Sequence, residues 1–103
     1  MSLYLIVCKT LLPAPPEAMD AFLAQCDYME RLRNQGTVKI FVPFSGLNGD
    51  FFVAGAKTNE DLTRIISECP IFPYVNREIY PLTEDTQAKQ IVTAMKQRMA
   101  KKP

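Results

Sequence analysis

The sequence predicts a single α+β domain whose strands and helices follow the order βαββαβ, with one further helix at the C-terminus. Segments in which apolar residues occur at every second position, as in strands, are followed by segments in which they recur about every 3.6 positions, as in helices. With 103 residues the chain has room for one hydrophobic core, so we assign residues 1–103 to one domain. Its 48% apolar and 22% charged residues are typical of a folded globular protein rather than a disordered one.

The first strand and the first helix come from the N-terminal third of the chain. Residues 4–10 are rich in aliphatic and aromatic side chains and run into a proline-rich segment, residues 12–16, which is typical of a strand followed by a loop. From Pro16 to about Asn34 apolar residues recur at helical spacing, and a Gln-Gly pair provides a stop. We expect the methionines at positions 19, 29, 95 and 99 to fill the core.

A β-hairpin and a second helix follow. Val38, Ile40 and Val42 alternate with Lys39, Phe41 and Pro43, residues 51–56 are again strand-like, and Asn48-Gly49 is the turn signal between them. Thr58 or Asn59 can cap the second helix. Its buried face is predicted to consist of Leu62, Ile65, Ile66 and Cys69, and Pro70 ends it.

The last strand of the domain is predicted over residues 74–80, between two prolines. The resulting order is the ferredoxin-like plan, with an antiparallel sheet and a core over residues 3–82. A final helix is predicted over about residues 86–100, preceded by acidic and ended by basic residues. Its apolar stripe must be covered either by this domain or by a neighbouring subunit. The stripe consists of Ile91, Val92, Ala94, Met95 and Met99.

Charge and composition argue against several classes of function. The net charge of +1 gives no electrostatic field that would recruit nucleic acid, and no stretch approaches the about 20 apolar residues of a membrane span. Three widely spaced cysteines fit buried thiols in a reduced, cytoplasmic protein better than a disulfide framework. Because the chain has no histidine, we expect no metal and no haem, and the absence of nucleotide-binding motifs gives no reason to expect another cofactor.

The central hairpin predicts a partner subunit. One face of its first strand would carry Val38, Ile40 and Val42, yet the opposite face carries Phe41, so both faces are apolar. Helices cover only one face of such a sheet, and an apolar sheet face is rarely left in water. We therefore predict a homodimer or higher homo-oligomer that pairs sheet to sheet. In the alternative, the C-terminal helix folds back over its own sheet.

With these elements in place, residues 36–82 resemble the muconolactone isomerase family. The residues that carry the resemblance are Gly36-Thr37, Gly46, Val53, Glu60, Leu62, Glu78-Ile79, Leu82 and above all the run Pro70-Ile71-Phe72-Pro73-Tyr74. The resemblance implies a ferredoxin-like chain that forms a dimeric α+β barrel and moves a proton across a conjugated lactone. That reaction needs a base beside the reacting carbon and donors that stabilise the enolate.

The chain departs from the family at polar positions. The family's histidines are missing, Gln25 stands where we align its acidic proton-transfer residue, and Val42-Pro43 replaces a Trp-Arg pair. A base would therefore have to be a carboxylate whose pKa is raised. For a pocket between the sheet and the first helix, our catalytic candidates are Glu78, Glu30 and Asp27, and our substrate-binding candidates are Lys39, Tyr74 and Arg77.

Each of these side chains also has an ordinary structural interpretation, as a solvated charge, a cross-strand contact or an aromatic wedge. Two hypotheses therefore stay open. The chain could be an isomerase-like enzyme that acts on a small oxygenated acid or lactone. It could instead be a non-catalytic assembly or ligand-binding protein that has kept the fold and lost the chemistry.

Overall fold

A computed structural model describes residues 1–101 and contains four strands and three α-helices. In chain order they are β1 (Ser2–Thr10), α1 (Glu17–Asn34), β2 (Val38–Pro43), β3 (Gly49–Ala56), α2 (Asn59–Ser67), β4 (Val75–Leu82) and α3 (Asp85–Ala100). A short 3₁₀ helix, Phe72–Tyr74, precedes β4, so Tyr74 lies just outside the strand predicted to begin with it. The α+β, ferredoxin-like class is confirmed.

The strands form one antiparallel sheet in the order β2-β3-β1-β4. β1 lies between β3 and β4 and pairs with both over almost its whole length. Because α1 and α2 are the crossover connections, they cover one face of this sheet and leave the other uncovered. The core lies between that helix-covered face and the helices, where Ile6, Met29 and Phe52 are fully buried.

The second helix begins where its sequence predicts. Thr58 is the N-cap, and its hydroxyl accepts a hydrogen bond from the backbone N–H of Asp61 at 3.1 Å. The helix buries Leu62 and Ile66, while Ile65 is only half-buried, so the predicted fully buried face is narrower than expected.

A bulge in β2 changes which side chains of the hairpin share a face of the sheet. The β2–β3 register shifts between Val38 and Ile40, so Val38 pairs with Ala54 on the helix-covered face while Ile40 pairs with Val53 on the open face. The prediction that Val38 and Ile40 share a face is therefore wrong, because one extra residue in a strand reverses the alternation beyond it. The open face is nevertheless apolar, with half-exposed side chains such as Leu5 and Val53.

The hairpin turn lies earlier than predicted. The N–H of Leu47 bonds to the carbonyl of Phe44 at 2.9 Å, and the turn uses positive φ angles at Gly46 (89°) and Leu47 (60°). Gly49 is already part of β3. A Cβ at Gly49 would overlap the carbonyl oxygen of Cys8, so only glycine allows β3 to approach β1 this closely.

The outward face of α1 carries apolar residues that were expected in the core. The helix buries Gln25 and Met29, and this rotation leaves Met19 76% and Leu23 63% exposed. The expectation that Met19 is core filler is therefore wrong.

The C-terminal helix projects from the domain. No residue of α3 is buried, and the described chain measures 64 × 29 × 23 Å. The alternative in which α3 folds back over its own sheet is thus not what the structure shows. Met95 and Met99, which were expected in the core, are 45% and 69% exposed.

Candidate active site

Three polar side chains form a row across the helix-covered face of the sheet. Cys8 is paired with Asp50 in the β1–β3 register and with Arg77 in the β1–β4 register. Residues paired across neighbouring strands lie at the same level of the sheet, with about 4.8 Å between strands. Asp50, Cys8 and Arg77 therefore lie side by side on three adjacent strands.

The helices add two more polar groups. Gln25 of α1 is fully buried, and its Nε2 donates to Sγ of Cys69 at 3.4 Å. Cys69, just after α2, in turn donates to the carbonyl of Ile65 at 3.4 Å. We call Asp50, Cys8, Arg77, Gln25 and Cys69 the buried polar cluster.

Asp50 is the electrostatically unusual member of the cluster. Its side chain is only 2% exposed, and its Oδ1 has no hydrogen-bond donor among residues 1–101. Burial raises the pKa of this carboxyl from 3.8 to about 6, because a charged carboxylate is poorly stabilised away from water. The buried Oε1 of Gln25 likewise has no donor in the described part of the chain. Two buried acceptors that both lack a donor are uncommon, so each calls for a partner such as a proton, a water molecule or the hydroxyl of a ligand.

The two thiols of the cluster are poor nucleophiles. Burial, with a further contribution from Asp50, raises the pKa of Cys8 to about 12. Burial also raises the pKa of Cys69 to about 11 although the Gln25 hydrogen bond opposes this. Because the thiolate is the reactive form, neither cysteine is activated for covalent chemistry at neutral pH.

Arg77 is held in place by its neighbours. Its Nη2 donates to the carbonyl of Phe72 at 2.7 Å and to the carbonyl of Val75 at 3.3 Å. The centre of the guanidinium lies 4.0 Å from the centroid of the Phe72 ring. These bonds use one nitrogen of a group with five N–H donors, so the guanidinium could also bind a carboxylate.

The structure does not bring the six sequence-predicted site residues together. Asp27 and Glu30 lie on the exposed side of α1, and exposed Lys39 donates to the carbonyl of Gly36 at 3.0 Å. Glu78 lies on the open face of the sheet, opposite in direction to its neighbour Arg77, and accepts a hydrogen bond from the Tyr80 hydroxyl.

The remaining two predicted residues lie just before β4 and within it. Tyr74 is half-buried in the 3₁₀ helix, where its carbonyl accepts the N–H of Leu11 at 2.9 Å. Arg77 is the one predicted residue that belongs to the buried polar cluster. The assignment of catalytic and binding roles to the six residues stays a prediction.

Asp50 was missed by the sequence analysis although the sequence contains a signal for it. Positions 50, 52, 54 and 56 alternate with the other face of β3, and the last three are apolar and buried. Extending that alternation one step back places a carboxylate in the core. The Asn48-Gly49 pair hid this signal, because it suggested that the strand begins after Asp50.

The groove that the structure shows between α1, α2 and the sheet lies away from the buried polar cluster. This groove of about 500 Å³ lies at the opposite end of β3, lined by residues such as Tyr28, Arg31, Gly55 and Ile65, and it includes no member of the cluster. Among residues 1–101, no three His, Cys, Asp or Glu side chains are grouped so that they could hold a metal ion. No described helix combines the length and apolar character needed to cross a membrane.

Comparison with known proteins agrees with the ferredoxin-like fold. The solved structures that are similar to this chain include the following two. One is the 5-chloro-2-hydroxyhydroquinone dehydrochlorinase TftG from Burkholderia phenoliruptrix AC1100 in complex with 2,5-dihydroxybenzoquinone, with a TM-score of 0.69 and 14% identity over 82% of this chain and 97% of that chain. The other is muconolactone isomerase, with a TM-score of 0.66 and 20% identity over 80% of this chain and 88% of that chain. At these identities the likeness concerns the fold.

At the level of sequence, no curated protein matches the chain. The model of the muconolactone delta-isomerase family, however, matches residues 3–88, from the first strand into the C-terminal helix. The chain therefore belongs to the muconolactone delta-isomerase family.

Proposed function

We propose that the chain is an isomerase-like enzyme that moves a proton on a small oxygenated acid or lactone, with Asp50 as the group that takes up and returns the proton. The observation that carries this proposal is the buried carboxyl of Asp50, whose Oδ1 has no donor among residues 1–101 and whose pKa is raised to about 6. A general base works best when its pKa lies near the working pH, and this carboxyl meets that condition without a histidine.

The row of side chains supplies the other parts of such a reaction. The Asp50 carboxylate removes a proton from the carbon beside the substrate carbonyl, and the electrons of that C–H bond pass into an enolate. The Arg77 guanidinium stabilises the negative charge of the enolate or of a substrate carboxylate. Return of the proton at a different carbon completes an isomerisation that leaves atoms and electrons unchanged in number.

Substrate would enter at the end of the sheet where the row lies. The β1–α1 loop and the hairpin loop meet there, since the N–H of Thr10 bonds to the carbonyl of Asn48 at 3.0 Å. Both loops are largely exposed, whereas Asp50 behind them is buried. Movement of these loops would open the cluster to a small molecule.

We also propose that the protein acts as a homo-oligomer in the cytoplasm. The apolar open face of the sheet supports association, because a patch of this kind is rarely left in water. All three cysteines are unpaired, which fits a reducing compartment.

Proton exchange in D₂O tests the proposed chemistry directly. Purified protein is incubated with muconolactone, related lactones and hydroxyquinones, and deuterium incorporation is followed by NMR. We expect exchange with at least one of these compounds and a rate that rises with pH through a midpoint at about pH 6 to a plateau about one pH unit higher, because only the carboxylate form of Asp50 accepts a proton.

Matched variants identify the base. Asp50→Asn should lower the exchange rate at least about a hundredfold, which is the usual contribution of a general base. Glu78→Gln, Glu30→Gln and Asp27→Asn remove a carboxylate outside the cluster and should leave most of the rate. Loss of exchange in Glu78→Gln with full retention in Asp50→Asn would place the site on the open face. No exchange with any compound would contradict the proposed function.

A further inference from the structure

The amide of Gln25 has a buried acceptor with which no described residue pairs. Gln25 lies on α1 with its side chain fully buried, and its Oε1 has no hydrogen-bond donor among residues 1–101. Leaving a buried acceptor without a donor is unfavourable, and such groups are rare in folded proteins. A donor that enters from outside the chain is therefore the expected partner of this oxygen.

Hydrogen bonds to Cys69 and beyond it fix the orientation of the amide. Nε2 of Gln25 donates to Sγ of Cys69 at 3.4 Å, and the thiol of Cys69 donates to the carbonyl of Ile65 at 3.4 Å. The same carbonyl accepts the hydroxyl of Tyr28 at 2.8 Å. Because the thiol has only one hydrogen and uses it on Ile65, its sulfur can only accept from Gln25. Nε2 must therefore lie on the Cys69 side, and Oε1 is the amide atom left to bind a ligand.

Asp50 lies close to the same thiol. Burial is the main cause of the raised pKa of Cys69, and the carboxylate of Asp50 adds to it, which requires the two side chains to be near each other. Asp50 can pair its own buried oxygen by taking up a proton, whereas a neutral amide takes up none. The proposed base and an acceptor that needs an external donor thus belong to one site.

We propose that the substrate carries a hydroxyl group on the carbon that loses its proton, and that this hydroxyl donates a hydrogen bond to Oε1 of Gln25. The inference rests on the proposed function, because it names the substrate class of the same site. It narrows the small oxygenated acids and lactones to α-hydroxy carbonyl compounds. In these compounds one carbon bears both the hydroxyl and the acidic hydrogen.

The hydroxyl keeps its proton throughout the proposed reaction. Asp50 removes the hydrogen on carbon, and the electrons of that C–H bond form the enolate beside Arg77. Return of the proton to the same carbon, or to one conjugated with it, leaves the O–H bond intact. Gln25 therefore binds the substrate and the enolate through the same hydrogen bond, and its role is in recognition rather than in proton transfer.

A ligand without this hydroxyl is disfavoured at the site. Where a water molecule pairs with Oε1 before the ligand binds, a ligand hydroxyl reproduces its hydrogen bond, whereas a C–H group does not. Muconolactone has a ring oxygen, a carbonyl and a carboxylate, all of which only accept hydrogen bonds. A site with a buried acceptor discriminates strongly against a ligand that leaves that acceptor unpaired.

The test compares three small lactones that differ at one substituent. α-Hydroxy-γ-butyrolactone has the hydroxyl, γ-butyrolactone lacks it, and the α-methoxy compound has the oxygen without its hydrogen. Ligand-detected NMR on the full chain at pH 7 measures their dissociation constants. The hydroxy lactone should bind at least about tenfold more tightly than either of the others. Equal binding of the hydroxy and methoxy lactones overturns the proposal, and so does failure of all three to bind.

Two variants of the site identify the acceptor. Gln25→Met removes the amide oxygen at nearly constant side-chain volume and should abolish most of the preference for the hydroxy lactone. Asp50→Asn keeps Gln25 and should retain that preference. The reverse pattern, with the preference lost in Asp50→Asn and kept in Gln25→Met, overturns the proposal because the hydroxyl would then bind Asp50.

A second pair of variants tests the orientation of the amide, and it also serves if Gln25→Met does not fold. Cys69→Ala removes the acceptor of Nε2, so the amide can turn and the preference should decrease. Cys69→Ser provides a hydroxyl that accepts from Nε2 and donates to the Ile65 carbonyl, so it should keep the preference. If Cys69→Ala keeps the full preference, Gln25 is not held as proposed.

Proton exchange in D₂O with the same lactones separates this inference from the proposed function. A wild type that prefers the hydroxy lactone but exchanges no proton contradicts the role of Asp50 as a base and supports the hydroxyl site. Exchange with equal kcat/KM for the hydroxy and methoxy lactones, abolished by Asp50→Asn, supports the base and overturns the hydroxyl site.

Discussion

The variant Asp50→Asn tests whether burial destabilises the charged form of Asp50 in the folded protein. Burial raises the pKa of this carboxyl from 3.8 to about 6. The folded protein therefore binds this proton more tightly than the unfolded chain does, and the associated stability is fully present below pH 3.8 and is lost as the pH rises to about 6. At about 1.4 kcal/mol per pH unit, the loss amounts to at most about 3 kcal/mol. The asparagine variant, which cannot ionise, should not show it.

The assay is urea unfolding of both proteins near pH 4 and near pH 8, at one protein concentration because association also affects stability. Relative to the wild type, Asp50→Asn should gain up to about 3 kcal/mol of unfolding free energy between these pH values. Glu68→Gln, which changes an exposed carboxylate, serves as the control and should show little gain. If the difference between Asp50→Asn and wild type is the same at both pH values, Asp50 is not an uncompensated buried carboxylate.

Three further predictions concern core packing, thiol accessibility and association. Ile66→Ala should lower the free energy of unfolding in urea by about 2 to 4 kcal/mol, and Ile65→Ala should lower it clearly less, because Ile66 is 8% exposed while Ile65 is half-buried. Equal losses in the two variants would show that the buried face of α2 is misassigned. Cys26 should react with a thiol reagent before Cys8 and Cys69, which are buried and should react only on unfolding; rapid reaction of all three would contradict the described core. At micromolar concentration the protein should be at least a dimer, and a mass of only 11.7 kDa in light scattering would refute sheet pairing.

Hydrophobic periodicity was sufficient to predict the order of the elements, because each helix and strand has its own repeat and its own stop signal. It could not predict which side of a helix or strand faces the core where this depends on a single residue. The bulge between Val38 and Ile40 leaves no mark in the alternation of β2, since both flanking side chains are apolar. The rotation of α1 was also hidden, because burying Gln25 instead of Leu23 contradicts side-chain polarity.

The candidate site was harder to predict than the fold for a related reason. Sequence reasoning favoured charged residues such as Glu30 and Glu78, because they lie near the expected pocket, yet both are exposed. The buried polar cluster assembles from five separate segments. Asp50, Cys8 and Arg77 approach one another through strand register, and Gln25 and Cys69 meet through the packing of α1 against α2. Cys8 becomes the centre of the row because it is paired with both Asp50 and Arg77. No local pattern contains that information.

The isolation of α3 has a consequence for its folding. An isolated helix of its 16 residues is marginal in water, because helix nucleation is costly and most helices in proteins are stabilised by packing. α3 buries no residue, so its backbone amides should exchange with solvent far faster than those of β1 in a dilute sample. Their protection should grow as the protein is concentrated and the stripe becomes covered. The helical content of α3 would then increase with the concentration of the protein.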